Sequence, residues 1–151
     1  MSHSPAPDFT LPQDGGDPVT LSALRPAPVV LFFYPRDNTP GCTTEAQGFT
    51  AMKADFEALG ALVFGISKDS IASHAKFREK KDLGIPLLSD EETTACEEFG
   101  VWKEKSMYGK KFMGIERSTF LIDGTGAIVR EWRKVKVKGH VEEVLDAVKA
   151  L

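Results

Sequence analysis

Cysteine is scarce in this chain of 151 residues: Cys42 and Cys96 are the only two. Two thiols cannot form the disulfide framework of a small secreted domain, nor supply a four-cysteine zinc or iron–sulfur site. Long apolar runs are missing as well. The longest stretch of large apolar residues covers six positions, 29–34, against the roughly 20 that a membrane helix needs. The opening Met1-Ser2-His3-Ser4-Pro5 has neither a basic nor an apolar region, so no signal peptide is expected. Cytoplasmic residence, where thiols are kept reduced, is the expectation that follows. The chain lacks a Walker loop, a dinucleotide fingerprint and a metal-ligand cluster, and no cofactor is expected. It also lacks internal repeats and any linker rich in Pro, Gly or Ser, which predicts one domain over residues 1–151.

What is present is ordinary for a globular domain: 42% hydrophobic and 27% charged residues, enough to bury a core. Charge is uneven. Residues 1–100 carry 8 basic and 15 acidic groups, whereas residues 101–151 carry 11 basic and 7 acidic ones. The basic portion is interspersed with Glu104, Glu116 and Glu131, the pattern of a solvated surface rather than of a nucleic-acid site.

Hydrophobic periodicity gives the element order. Residues 9–11 and 19–21 flank a glycine-rich turn and predict a β-hairpin. Positions 29–34 are apolar throughout, which predicts a strand covered on both faces. From Cys42 the period changes: Ala46, Phe49, Met52, Phe56 and Leu59 form the stripe of an amphipathic helix ending at Gly60. Strand character returns over 61–67, and Ser70 is an N-cap for a helix through 81. A strand over 85–88 precedes a helix over 91–99 closed by Gly100. Residues 118–122 and 127–132 predict a second hairpin. The segment 133–138 alternates like a strand with one charged face, and a final helix carries Val141, Val144, Leu145, Val148 and Leu151 on one side. Alternating strands and helices imply an α/β fold, with a mostly parallel central sheet and helices on both faces.

The segment Pro35-Arg36-Asp37-Asn38-Thr39-Pro40-Gly41-Cys42 joins the buried strand to its helix, at the sheet end where ligands gather. Thr39 followed by Pro40 reads as N-cap and first helical residue, placing Cys42 in the first turn. There the Thr39 hydroxyl can satisfy a backbone N–H, and the helix dipole favours a thiolate. Gly41 allows close approach to the backbone, and Pro35 stiffens the loop entry. A buried structural cysteine needs none of these surroundings. These residues therefore mark Cys42 as a candidate nucleophile.

The same segment, Tyr34-Pro35-Arg36-Asp37-Asn38-Thr39-Pro40-Gly41-Cys42-Thr43-Thr44-Glu45, resembles the active-site segment of the peroxiredoxins, in the wording of the peroxiredoxin Q or bacterioferritin comigratory subfamily. The resemblance extends from Pro7-Asp8-Phe9-Thr10-Leu11 through Leu87-Leu88-Ser89-Asp90 and Glu98-Phe99-Gly100-Val101-Trp102 to Arg117-Ser118-Thr119-Phe120-Leu121-Ile122-Asp123. It implies a thioredoxin-like fold and a peroxidase in which Cys42 is the peroxidatic nucleophile. Thr39 and Pro35 are then the other loop residues, Arg117 the arginine that completes the site, and Glu45 the arginine's partner. The chemistry fits these residue types. Only a thiolate attacks a peroxide oxygen, and an ordinary thiol, with a pKa of about 8.5, is a few per cent ionised at neutral pH. A permanent cation such as Arg117 stabilises the thiolate and the departing oxygen, and a hydroxyl such as that of Thr39 orients the peroxide.

The pattern departs from the subfamily in one respect. The attack leaves a sulfenic acid, and both familiar positions of a resolving cysteine are empty: Gln47 stands five residues after Cys42, and residues 73–78 contain no thiol. Cys96, beside the apolar Ala95 and Phe99, is expected to be a buried bystander. The alternative is an internal Cys42–Cys96 disulfide, which requires Cα atoms about 4.4–6.8 Å apart. The expected cycle uses one cysteine and an external thioredoxin- or glutaredoxin-type reductant, with the chain a monomer that binds neither membrane nor nucleic acid. Three other readings remain. A thioredoxin-like disulfide oxidoreductase would want a second thiol where Glu45 stands. A cysteine hydrolase would want His3, His74 or His140 as a base. A non-enzymatic anion or nucleic-acid binding module would use the basic C-terminal portion.

Overall fold

The structure, a computed structural model, describes residues 4–151. Residues 1–3, with His3 and most of the segment read for a leader, lie outside the described residues. The strands and helices in chain order are β1 (Ser4–Pro5), β2 (Thr10–Gln13), β3 (Gly16–Thr20), β4 (Val29–Phe33), α1 (Pro40–Ala51), α2 (Lys53–Ala58), β5 (Leu62–Ser67), α3 (Ile71–Lys81), β6 (Leu87–Ser89), α4 (Ala95–Glu98), β7 (Trp102–Met107), β8 (Lys110–Ile115), β9 (Ser118–Ile122), β10 (Ala127–Trp132) and α5 (His140–Lys149).

Eight strands form one sheet in the order β1-β10-β9-β4-β5-β6-β2-β3, and β7 and β8 form a separate two-stranded ribbon. The α/β class and the N-terminal hairpin are as expected, but the sheet is mixed rather than mostly parallel. Among the described residues only β4–β5 and β5–β6 of this sheet run parallel; its other five pairings are antiparallel. Connections decide this. Helical crossovers return the chain to the same end of the sheet after β4 and β5, whereas β9 enters beside β4 from the β7–β8 ribbon and β10 follows by a tight hairpin.

Strand β4 explains how the layers are held. All five of its residues are buried, and the pleat sends them alternately to two cores. Val30 and Phe32, with Tyr34 beyond the strand end, meet Phe49, Phe56, Phe77 and Val144, from α1, α2, α3 and α5. Val29, Leu31 and Phe33 meet Phe9, Phe99 and Phe120 on the opposite face. The Phe32 and Phe49 rings stack with centroids 4.6 Å apart. Gly65 in β5 makes room for this arrangement, since a Cβ there would stand 2.7 Å from Phe32 Cζ and 3.0 Å from Leu87 Cδ2. Gly65→Ala is therefore expected to destabilise the protein by about 1–3 kcal/mol through overpacking, read as a lower urea midpoint with an unchanged m-value.

Four expected elements differ. The final helix ends at Lys149, so Leu151 lies beyond its apolar stripe and is exposed. The helix over 91–99 is confined to Ala95–Glu98, because Asp90 accepts the backbone N–H groups of Ala95 and Cys96, at 3.0 and 2.7 Å, and so starts the helix late. The segment 133–138 is irregular rather than a strand: Lys134 adopts φ 48°, and the three lysines of the segment are exposed. The stripe from Ala46 to Leu59 is interrupted at Met52, where α1 ends and α2 begins. Among the described residues no helix is long and apolar enough to cross a membrane.

Candidate active site

The end of β4 and the start of α1 place the cysteine. Thr39 has the extended backbone of an N-cap and Pro40 opens the helix, as expected. The Thr39 hydroxyl does not cap the first turn, however; it donates to the Arg36 carbonyl at 2.9 Å. The tight 35–39 loop, with Asn38 at φ 60°, brings that carbonyl within hydrogen-bond reach of the hydroxyl. Pro35 is half-buried at the loop entry.

Cys42 is 1% exposed and packs in the core shared by α1 and α5. Arg117 reaches it from the short turn between β8 and β9. One guanidinium nitrogen, Nη2, donates to Cys42 Sγ at 3.3 Å, while Nη1 donates to Glu45 Oε1 at 2.9 Å. One planar fork thus links a thiol to a carboxylate one helical turn further along. Gly41 serves Arg117 directly: a Cβ there would stand 3.0 Å from Nη2. The backbone of Arg117 is fixed in turn, since the Val135 N–H donates to its carbonyl at 3.0 Å.

Behind this pair lies a buried polar pocket whose contacts among Glu45, His140 and Thr119 sequence reasoning missed. Glu45 is fully buried, and its Oε2 has no hydrogen-bond partner among the described residues. Burial pushes the Glu45 carboxyl up to about 7, although the charge and hydrogen bond of Arg117 pull it down. His140, at the start of α5, brings Nε2 within 4.0 Å of Glu45 Oε2 and within 2.8 Å of Thr119 Oγ1. Burial drives the His140 pKa down to about 4, and the charge of Arg117 adds to that effect. His140 is therefore a neutral ring at neutral pH. Lys105 was missed as well. It lies across Gly114 of the ribbon and shares an open cleft of about 400 Å³ with Glu116, Arg117 and Lys134. Burial lowers its pKa, as does the charge of Arg117. No local signal marks these contacts, because each joins strands and helices far apart in the chain.

The second thiol is elsewhere. Cys96 is fully buried in the core on the opposite face of the sheet, with Phe33, Phe99 and Phe120. Burial, reinforced by Asp90, pushes its thiol far above the usual range. Of the two described histidines, His74 engages Asp37 and the Leu88 carbonyl and His140 turns Nε2 to Thr119, so Cys42 is met by an arginine rather than a base. Among the described residues no group of three or more His, Cys, Asp or Glu side chains is placed to hold a metal ion.

The profile of the AhpC/TSA family matches residues 3–131. Peroxiredoxin Bcp of Bacillus subtilis is 51% identical over 144 residues, which cover 95% of this chain and 92% of that protein. Peroxiredoxin Bcp of Xanthomonas campestris is 49% identical over 148 residues, covering 97% and 92% of the two chains. The solved structure of Xanthomonas campestris peroxiredoxin Q superposes with a TM-score of 0.89 at 48% identity, over 94% of this chain and 90% of that one. A further structure of the Xanthomonas protein, 47% identical with a TM-score of 0.89 over the same 94% and 90%, is described in terms of its alkyl peroxide reduction activity. The fold is thus the thioredoxin-like fold of these proteins, and the chain belongs to the AhpC/TSA family of thiol peroxidases, among the peroxiredoxins of the Bcp, or Q, type.

Proposed function

We propose that this chain reduces hydrogen peroxide and organic hydroperoxides in a one-cysteine cycle. The Cys42 thiolate attacks one peroxide oxygen, the O–O bond breaks, and Cys42 becomes a sulfenic acid while the departing oxygen leaves as hydroxide or alkoxide and takes up a proton. Arg117 stabilises both the thiolate and the charge growing on the leaving oxygen. The Thr39 hydroxyl turns from Arg36 to orient the peroxide. Glu45 aims the guanidinium, Gly41 leaves it room, and Pro35 stiffens the loop. An external thioredoxin- or glutaredoxin-type thiol then condenses with the sulfenic acid, releasing water and forming a mixed disulfide that a second thiol cleaves.

The observation that carries the reading is the single guanidinium shared by Cys42 Sγ and Glu45 Oε1. The one-cysteine form is supported by the sheet that lies between the two thiols, since Cys42 and Cys96 belong to cores on opposite faces of β4. The alkyl peroxide reduction described for the Xanthomonas relative supports organic hydroperoxides as substrates. Two free cysteines support a reducing, cytoplasmic setting. Among the described residues exposed large apolar side chains are few, which supports a monomer.

Treating the reduced protein with one equivalent of hydrogen peroxide and mapping the product by non-reducing mass spectrometry tests the cycle. A trappable sulfenic acid on Cys42, converted to a mixed disulfide by added thiol, is expected. An intramolecular Cys42–Cys96 bridge would overturn the one-cysteine cycle, and an unmodified Cys42 would overturn the peroxidase assignment.

A further inference from the structure

A second buried polar network lies beneath the loop that carries Thr39, and the proposed mechanism does not use it. Its centre is Asp37, midway between Pro35 and Thr39. Asp37 Oδ1 accepts from the Tyr34 hydroxyl at 2.7 Å, and Oδ2 accepts from the Ser73 hydroxyl at 2.8 Å. The backbone N–H of Asp37 donates to Asp69 Oδ2 at 2.8 Å, and that carboxylate is held by Ser67 at 2.7 Å. The remaining partner is His74 of α3, fully buried, whose Nδ1 stands 2.7 Å from Asp37 Oδ2. Its other ring nitrogen, Nε2, stands 2.9 Å from the Leu88 carbonyl oxygen of β6.

The donor inventory fixes the charge of this ring. A carbonyl oxygen only accepts, and so does a carboxylate that already receives two hydroxyl donors. A neutral imidazole has one N–H and would set a lone pair against a lone pair at one of these two short contacts; an imidazolium donates to both. The groups facing the ring agree. Tyr34 and Asp37 approach from the β4 end, Asp69 from the turn after β5, Leu88 from β6, and Ser73 from the same helix. Burial alone would discharge the ring, but the hydrogen bond and charge of Asp37, then Leu88 and Asp69, outweigh it and raise the His74 pKa. By linkage, the tie is complete below the ordinary histidine pKa of about 6.5 and is lost as the pH rises through the higher folded value.

We propose that His74 is a positioning residue for the reaction: held as an imidazolium, it ties the 35–39 loop to α3 and β6 and so fixes the site at which Thr39 presents its hydroxyl to the peroxide. This rests on the peroxidase reading of Cys42, and one arm of the test is independent of activity. In uniformly 15N-labelled reduced protein at pH 7, one histidine is expected to carry protons on both ring nitrogens, with its signals missing in His74→Gln. In the second arm kcat/KM for hydrogen peroxide is followed from pH 6 to 10. The wild type is expected to decline on the alkaline side, and His74→Gln to run about tenfold lower at neutral pH without that decline. Asp37→Asn, which leaves the ring in place but removes its counter-charge, is expected to lose the doubly protonated signal. A singly protonated His74 ring at pH 7 overturns the proposal. So does a His74→Gln variant with the wild-type rate and profile, or one that is slower yet keeps the alkaline decline. Failure of the Cys42 reading appears separately, as an enzyme without peroxide turnover whose His74 signals are still those of an imidazolium.

Discussion

Cys42→Ser is expected to lower peroxidase kcat/KM by at least about a thousandfold, to the background of the uncatalysed reaction, while Cys96→Ser stays within about twofold of the wild type. The contrast follows from position. Cys42 Sγ receives a guanidinium N–H, and a serine hydroxyl in its place is neither ionised nor nucleophilic at neutral pH. Cys96 is sealed in the opposite core, with a thiol held in its neutral form by burial and by Asp90. Serine is nearly isosteric there and can donate to the same carboxylate. A peroxide consumption assay with a thiol reductant in excess reads both variants. Comparable loss in the two would place Cys96 in the cycle and remove the one-cysteine scheme.

Arg117→Met is expected to lower kcat/KM by about 10²–10³-fold, the size of effect seen when one preorganised donor to a developing negative charge is removed. Arg117→Lys should recover only part of this, because an ammonium cannot present two parallel N–H groups to Sγ and Oε1. Stability should change with a definite sign. Glu45 in the wild type has its folded pKa raised from 4.5 to about 7, so the stability linked to its neutral form is complete below about pH 4.5 and is lost as the pH rises through about 7. Removing the guanidinium leaves an ionised Glu45 with no partner, at a cost of about 3–5 kcal/mol. Protonation of the carboxyl avoids most of that cost. Urea unfolding should therefore show Arg117→Met close to the wild type at pH 5 and clearly weaker at pH 8. An equal destabilisation at both values would mean that Glu45 is not the group left behind.

Features written in neighbouring residues were legible in advance. The unbroken apolar run at 29–34 announced a strand buried on both faces, and the Thr39-Pro40 pair announced the helix start that places Cys42. The hairpin at Asp123-Gly124-Thr125-Gly126 follows from a side chain that accepts the Thr125 N–H at 2.9 Å and that of Ala127 at 3.1 Å. Features decided by contacts between distant segments were not legible. The antiparallel entry of β9 depends on the β7–β8 ribbon, whose Trp102–Met107 strand is mostly polar and exposed and has no core-facing alternation to betray it. Thr39 lost its expected capping bond to a carbonyl that only the folded loop brings near. His74 and His140, read only as possible bases for Cys42, are brought beside Asp37 and Glu45 by helices docking on the sheet.

The sheet that separates the two thiols also bears on how the protein wears out. In the proposed cycle, oxidised Cys42 has no internal thiol to capture it, so the sulfenic acid persists until a reductant arrives from solution. During that interval a second peroxide can carry the same sulfur on to sulfinic acid, which ordinary thiols do not reverse. Turnovers completed before inactivation would then depend on the ratio of reductant to peroxide, and the supply of outside thiol would set both the speed of the enzyme and its working lifetime.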